Sequence, residues 1–481
     1  MGGKQSSFRN PDFTWQPSPL DTTFQLQTEY RMQASPMSPK PLGPRQHYLA
    51  SPMSPRSVMS GHTPFLNDVD EAYKLPESGK TTPWQTAMNA TLLLCGAGVL
   101  SIPYAIGQGG VLMGAFLLLL AGVCCWTAVL IGNLMQTAQV CVGEYAVPRE
   151  SVDWPFLGYL AFGEAGRGLC SFVFVCELWF LMLSYLVTNG INLNIVFPHI
   201  FSRTGGIVFS GVLSFLLLFP SPKILSYASA TGVISSVVAV VSLAWSAAAM
   251  KEWEIEESGM IWIAPSSVAE AIGILQFCFV AHSAFPTVWR NMEDTKYFSG
   301  SMCQAFAFTG MFYFIVGLGA YVVYGSVAEP SFMENLGRDL SMKPLPGLNF
   351  LYLVASFCFA LNLQFSFPLF AAGLVVTTEA WVGLSNGSVF FRTCWKVLLM
   401  TVATLLAVLM RNCMQSIVSL TGSFCATFTC LLMPLVFSWK INHMSLIARM
   451  IAAVGVVYGT YILFYGTYTN VVNIVGSVLS G

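Results

Sequence analysis

The stretch Leu94-Cys95-Gly96-Ala97-Gly98-Val99-Leu100-Ser101-Ile102-Pro103-Tyr104 decides how this chain folds. It lies inside an apolar run long enough to cross a membrane, yet it carries two glycines and, about one turn later, a proline. Gly weakens a helix through backbone entropy, and Pro103 removes a backbone donor. In hydrocarbon every freed N–H or C=O is costly unless protein or water satisfies it. Irregular backbone at this depth therefore implies a protein-lined cavity. A phosphate-binding loop is excluded, because no strand precedes these glycines.

The rest of the chain agrees with a membrane setting. Its 481 residues are 55% hydrophobic and only 9% charged, with a mean hydropathy of +0.64. A soluble domain usually carries about 25% charged residues. Apolar windows recur from Trp84 almost to the C-terminus and predict about eleven spans. These fall near 84–106, 110–135, 168–198, 204–220, 228–250, 266–288, 300–325, 349–378, 390–410, 415–438 and 445–466. The expected fold class is an all-α polytopic membrane protein, with a tail at 1–80, a transmembrane domain at 81–466 and a short C-terminal tail at 467–481. A net charge of −1 gives no field for nucleic acid. Nothing at the start reads as a cleavable signal peptide, so the first span is expected to drive insertion. The 13 Cys lie mostly inside apolar spans, with no metal-binding spacing, and the five His form no motif with them. Neither a metal, a cofactor nor an enzyme activity is expected.

A second interruption changes the weight of the first. The sixth span reads Gln276-Phe-Cys-Phe-Val-Ala-His-Ser-Ala-Phe-Pro286, again with small residues at mid-depth and a proline about one turn on. Residues 84–250 and 266–438 are of nearly equal length, and each holds five spans opening on a broken helix. An odd number of spans per repeat forces the halves to insert with opposite topology, the arrangement of many secondary transporters. Half-helix N-termini then offer N–H groups to an anion and C-termini offer carbonyls to a cation. A zwitterionic α-amino acid satisfies both.

The string Leu-Cys-Gly-Ala-Gly-Val-Leu-Ser-Ile-Pro-Tyr-Ala at 94–105 resembles the first span of the amino acid/auxin permease family. The likeness is strongest to its vacuolar amino acid transporters of yeast and plants, with the vesicular inhibitory amino acid transporter next. Ala161-Phe-Gly-Glu-Ala-Gly-Arg167, Cys176-Glu-Leu-Trp179, Leu225-Ser-Tyr-Ala-Ser229 and Phe277-Cys-Phe-Val-Ala-His-Ser-Ala-Phe-Pro286 extend the resemblance in consistent order over 84–466. It implies an inverted five-plus-five core and a substrate site between spans one, three, six and eight. The membrane it implies is vacuolar, lysosomal or vesicular, with the plasma membrane as the other candidate. One departure stands at Leu92, where family members usually have Asn; it speaks against sodium coupling.

The candidate substrate-binding residues are Thr91, Cys95, Gly96, Ala97, Gly98, Phe279, Val280 and His282. Ionisable side chains within spans are expensive and usually functional. Glu177 and His282 are therefore the candidates to take a coupling proton, since histidine titrates near neutral pH. Each has a rival structural role, His282 as a polar group bonding freed carbonyls and Glu177 as a cap or interhelical partner. Glu270 and Glu379 fall near span ends and are expected to face water. Phe279, Phe285 and Phe367 read as helix packing rather than as gates.

The tail is rich in Ser, Pro and Gln and reads as disorder. Its repeat, Ala34-Ser-Pro-Met-Ser-Pro-Lys40 and Ala50-Ser-Pro-Met-Ser-Pro-Arg56, makes Ser35, Ser38, Ser51 and Ser54 candidates for phosphorylation. Gly2 with Ser6 fits the myristoylation pattern. With the tail cytosolic, eight Lys and Arg lie in it, nine in cytosolic loops and five on the other face, the full 22. That bias follows the positive-inside rule and puts the C-terminus across the membrane. Asn386-Gly-Ser388 is a glycosylation sequon in a loop this topology makes cytosolic. The expected function is secondary transport of neutral amino acids by alternating access, coupled to protons. The alternative is an amino acid sensor, whose tail recruits a signalling protein.

Overall fold

The structure is a computed structural model that describes residues 81–140, 152–219, 230–250, 253, 261–265, 267–384, 387–442 and 444–480. The tail candidates Gly2, Ser35, Ser38, Ser51 and Ser54, the Leu225–Ser229 motif and Asn386 lie outside them. The described chain is all helix apart from two isolated bridges. Eight helices are individually long and apolar enough to cross a membrane, and nine if a pair bent by 48° at the first break counts as one. Two shorter apolar helices at 203–216 and 234–249 occupy the expected fourth and fifth positions. The count of eleven is therefore not reached by helix length alone.

The first span is built of α1 (Pro83–Leu94), a 3₁₀ turn (Ala97–Ser101) and α2 (Ile102–Gly109). Thr82 starts α1 with a capping box closed by Gln85, and Pro83 sits in the first turn, where its missing N–H costs nothing. Then come α3 (Leu112–Val140) and α4 (Trp154–Val196). The third span was expected to start near 168, but α4 begins a long way earlier, capped by Asp153, and kinks at Phe162 and Gly163. Gly163 has φ +65°, a conformation that only glycine adopts cheaply. The fourth and fifth positions hold α5 (Arg203–Leu216) and α6 (Ala230–Ala249).

The second half opens with α7 (Val268–Phe277), a 3₁₀ turn (His282–Ala284) and α8 (Phe285–Asn291), then α9 (Phe298–Tyr324), α10 (Asn349–Trp381) and α11 (Val389–Leu409). The tenth span runs through α12 (Met414–Leu420), a π-helix (Thr421–Leu432) and α13 (Met433–Ile441). The last comprises α14 (Leu446–Tyr461), a short π stretch and α15 (Thr467–Ser480). It stays helical to Ser480, past the point where the sequence placed the start of a tail.

The two broken spans run antiparallel. At one end Thr81 N donates to Asn291 O (2.8 Å) and Glu293 N to Thr81 O (2.9 Å). At the other, Val111 N donates to Ile261 O (2.9 Å) and Ala264 N to Gly109 O (3.1 Å). Opposite insertion of the two halves requires this pairing. Around it, α9 packs on α1, α2 and α3, while α4 packs on α5, α10 and α11. The π-helix packs against both α7 and α4.

Within the second group, Asn189 Nδ2 reaches Gln364 Oε1 and Ser210 Oγ at 2.9 Å each, and Gln364 Nε2 donates to Ser214 Oγ at 2.8 Å. All four are buried. Asn189 Oδ1 alone is left without a partner in this set, and the buried bonds among the four fix relative position as well as contributing stability.

Candidate functional site

Both interruptions lie where the sequence placed them, and they touch. A Cβ built on Gly98 would stand 2.9 Å from Cys278 Cα and 3.1 Å from its sulfur, so only glycine lets the two breaks meet. The Cys278 thiol spans the same contact, donating to Gly98 O at 3.3 Å or to its own helix at Ile274 O, 3.2 Å away. Gly96 is different. The nearest atom to a Cβ there is the Tyr185 hydroxyl at 3.8 Å, an ordinary van der Waals contact, so the backbone at Gly96 is not pressed as it is at Gly98. Tyr185 comes from α4, and its ring stands edge-on to Phe370 of α10 at 5.3 Å. Spans one, three, six and eight therefore converge at this point.

Ala97 and Gly98 open the second half of the first span, so their N–H groups have no acceptor within the helix. His282 and Ser283 hold the same place in the sixth span. The C-terminal ends of α1 and α7 point carbonyls into the same contact, where turns outside the regular helical pattern and the Tyr313 hydroxyl bond them. Gly96 N donates to Leu94 O at 2.7 Å, and Val280 N to Phe277 O at 3.1 Å. This is the constellation that binds a carboxylate at one pole and a cationic group at the other.

The candidate residues divide. Gly96, Cys95 and Val280 are partly exposed at the breaks, and Cys95 Sγ lies 3.9 Å from Thr309 Oγ1. Thr91 spends its hydroxyl on Ala87 O one turn back, at 2.9 Å. Phe279 is fully buried, its ring against Phe306 at 6.1 Å and Tyr313 at 5.6 Å. Phe285 and Phe367 are buried as well, which agrees with packing.

His282 is 0% exposed. Its Nε2 lies 3.0 Å from Cys124 O and 3.0 Å from Thr127 Oγ1, both on α3. A carbonyl can only accept, so Nε2 carries a hydrogen and donates it to Cys124 O. The His282 carbonyl in turn accepts from Trp154 Nε1 at 3.0 Å. His282 therefore ties the sixth-span break to α3 and to the start of α4.

Glu177 of α4 is 1% exposed and faces the hydroxyls of Ser283, in the sixth-span break, and Thr429, in the π-helix. Its Oε2 has no hydrogen-bond partner. The other buried carboxylate behaves oppositely. Glu379 was expected to face water, yet it is buried and ion-paired with Arg392 at 2.8 Å. The short turn between α10 and α11 brings Arg392 over the end of α10 and makes that possible. Glu270 is partly buried, not fully in water.

Two features had no sequence signal. Tyr313 of α9 is fully buried and donates its hydroxyl hydrogen to Leu94 O, with Cys278 O 3.3 Å away. A lone Tyr in an apolar span carries no motif, and only the fold shows that it reaches both breaks. The π-helix is the other. Thr427 Oγ1 donates to Gln276 Oε1 at 2.7 Å, and Gly422 lies against the Gly273 carbonyl so closely that a Cβ would overlap it. π-Helical turns are frequent at functional sites. Leu92 is 42% exposed and is not among the residues packed at the break.

Among known proteins, this chain is 26% identical over 422 residues to amino acid transporter AVT1J of Arabidopsis thaliana, covering 83% of this chain and 92% of the relative. It is 25% identical over 451 residues to the vesicular inhibitory amino acid transporter of Xenopus tropicalis, covering 90% and 82%. A solved Na+-coupled sialic acid symporter, in a substrate-bound outward-open state, aligns with 86% of this chain and 97% of its own at TM-score 0.48 and 14% identity, too distant to bear weight. The model of the family described as transmembrane amino acid transporter protein matches residues 79–472. The chain, a multi-pass membrane protein whose first and sixth spans are interrupted and meet at Gly98 and Cys278, belongs to that family.

Proposed function

We propose that the protein is a secondary transporter of neutral amino acids, working by alternating access and driven by a proton gradient across an internal membrane. The observation that carries this is the meeting of the two interrupted spans at Gly98 and Cys278, with the N–H groups that open the second half of the first span beside Gly96 and the Tyr185 hydroxyl 3.8 Å from where a Cβ of Gly96 would lie. The substrate carboxylate binds to the N–H groups of Ala97 and Gly98, beside Gly96, and its amino group turns toward the carbonyls of the sixth-span break around Phe279 and Val280. Cys95 and Thr91 shape the wall of the site on the α1 side. Glu177 is the only ionisable carboxyl among the described residues named at the breaks, and its role as proton carrier leaves it unavailable as a fixed counter-charge for a charged substrate side chain. The relatives' names, amino acid transporters of a plant and a vesicular inhibitory amino acid transporter, support the substrate class.

Of the two coupling candidates, Glu177 suits the role better. It contacts the moving break through Ser283 and the π-helix through Thr429, with no cation beside it. Intramembrane carboxyls of this kind mark proton paths in carriers. His282 already has its proton held by Cys124 O. Rocking of α1, α2, α3, α7, α8 and α9 against the α4, α5, α10 and α11 group exposes the site alternately to each side.

The test is uptake by the purified protein in proteoliposomes, with a panel of amino acids and imposed pH or sodium gradients. Neutral amino acids should accumulate under a pH gradient alone. Glu177→Gln should abolish that accumulation while leaving exchange of internal for external substrate. Accumulation by the variant under a pH gradient, at the wild-type level, removes Glu177 from coupling.

A further inference from the structure

Resting on the reading of the protein as a carrier, we infer that the Tyr313 hydroxyl occupies the place of a coupling cation between the two breaks and so makes the carrier independent of sodium. Two half-helix C-terminal ends converge there, each bringing a carbonyl beyond the regular helical bonds: Leu94 O, which also accepts from Gly96 N at 2.7 Å, and Cys278 O. Such ends carry partial negative charge, and in carriers with broken helices they coordinate the cation. Here a fully buried phenol does so instead. Its single hydrogen is donated to Leu94 O and lies in reach of Cys278 O at 3.3 Å.

The surroundings fit a hydroxyl and not a metal ion. The titratable groups near enough to act electrostatically on the Tyr313 phenol are Cys95, Cys278 and Tyr185. The Phe279 ring closes the side at 5.6 Å. A dehydrated cation needs a shell of oxygens or an anionic ligand to replace its water, and no carboxylate is among these groups. The hydroxyl supplies one partial positive charge to two carbonyls at no cost in desolvating an ion. It also ties both breaks to α9, so one residue fixes their separation. Leu92 speaks against sodium at the level of the sequence, but it is not among the residues packed at the break; the geometry puts the reason at Tyr313 instead.

The experiment compares the unfolding midpoint of the purified full-length protein with that of Tyr313→Phe, each in sodium chloride and in choline chloride. Neither measurement requires transport, so a failure of the carrier reading leaves this result intact. The wild type should have the same midpoint in both salts. Tyr313→Phe removes the hydroxyl from both carbonyls, leaving Leu94 O with Gly96 N alone, and sodium should then raise its midpoint by about 2 °C or more, because a ligand that binds only the folded state stabilises it. A sodium-dependent midpoint in the wild type overturns the inference, as does a variant that remains indifferent to sodium. If Tyr313→Phe does not fold, binding of radioactive sodium by the wild type decides: no saturable binding supports the assignment, and saturable binding overturns it.

Discussion

Gly98 has room for a hydrogen atom and little else. Any side chain there meets the Cys278 backbone at 2.9 Å, and that backbone is the end of the sixth-span half-helix. Gly98→Leu should abolish uptake while Gly98→Ala retains a fraction of it, measured in proteoliposomes at equal protein. Near-normal flux through Gly98→Leu would place the substrate elsewhere. His282 makes the opposite point about polar residues in membranes. Buried and bonded to α3, it acts as a structural tie, and His282→Ala should lower the unfolding free energy by about 1–3 kcal/mol, the penalty for leaving buried partners unpaired. The pH profile of its residual uptake should match the wild type; a displaced profile would return His282 to the coupling path.

At the scale of elements, the division of labour lies in how the helices are held. The Asn189–Ser210–Gln364–Ser214 network joins α4, α5 and α10 through side chains that have no water to fall back on. Gln364→Leu removes partners from all three others and should cost about 2 kcal/mol or more, read as a lower unfolding midpoint in detergent. A midpoint equal to the wild type would mean that water replaces the amide. The broken spans are held more loosely in kind, by backbone bonds at their outer ends and by close glycine contacts at mid-depth. Gly422 against Gly273 is one such contact, and it lets the π-helix and the sixth span approach without interlocking side chains. Smooth small-residue contacts of this kind permit sliding where large side chains would lock.

For the whole molecule, sidedness follows from charge. The excess of Lys and Arg in the tail and on alternate loops predicts a cytosolic N-terminus. A tag at residue 1 should be digested by protease added to intact cytosol-side-out vesicles, and Asn386 should carry no glycan. A glycan on Asn386 would reverse the orientation. Much of the architecture at this scale was legible because the bilayer imposes a simple rule. Any run of about 20 apolar residues must cross, and any break inside it must be satisfied by protein. The start of α4 was not legible, because Trp154–Phe162 is short and precedes a kink that a hydropathy window cannot resolve. Nor was the burial of Glu379, which depends on Arg392 folding over it from the next helix.

By itself the sequence determined that the chain is a bundle of membrane helices, that its first and sixth spans break at Gly96–Gly98 and around Val280, and that two similar halves face each other. Those are local and periodic properties, set by hydropathy, glycine and proline. Only the tertiary structure decided what surrounds the breaks. Tyr185 lies in front of Gly96, Glu177 at Ser283, and the Tyr313 hydroxyl over the two carbonyls. These residues are remote in sequence and share no motif. What brings them together is packing, since in a medium without water each freed carbonyl must find its donor on a neighbouring helix.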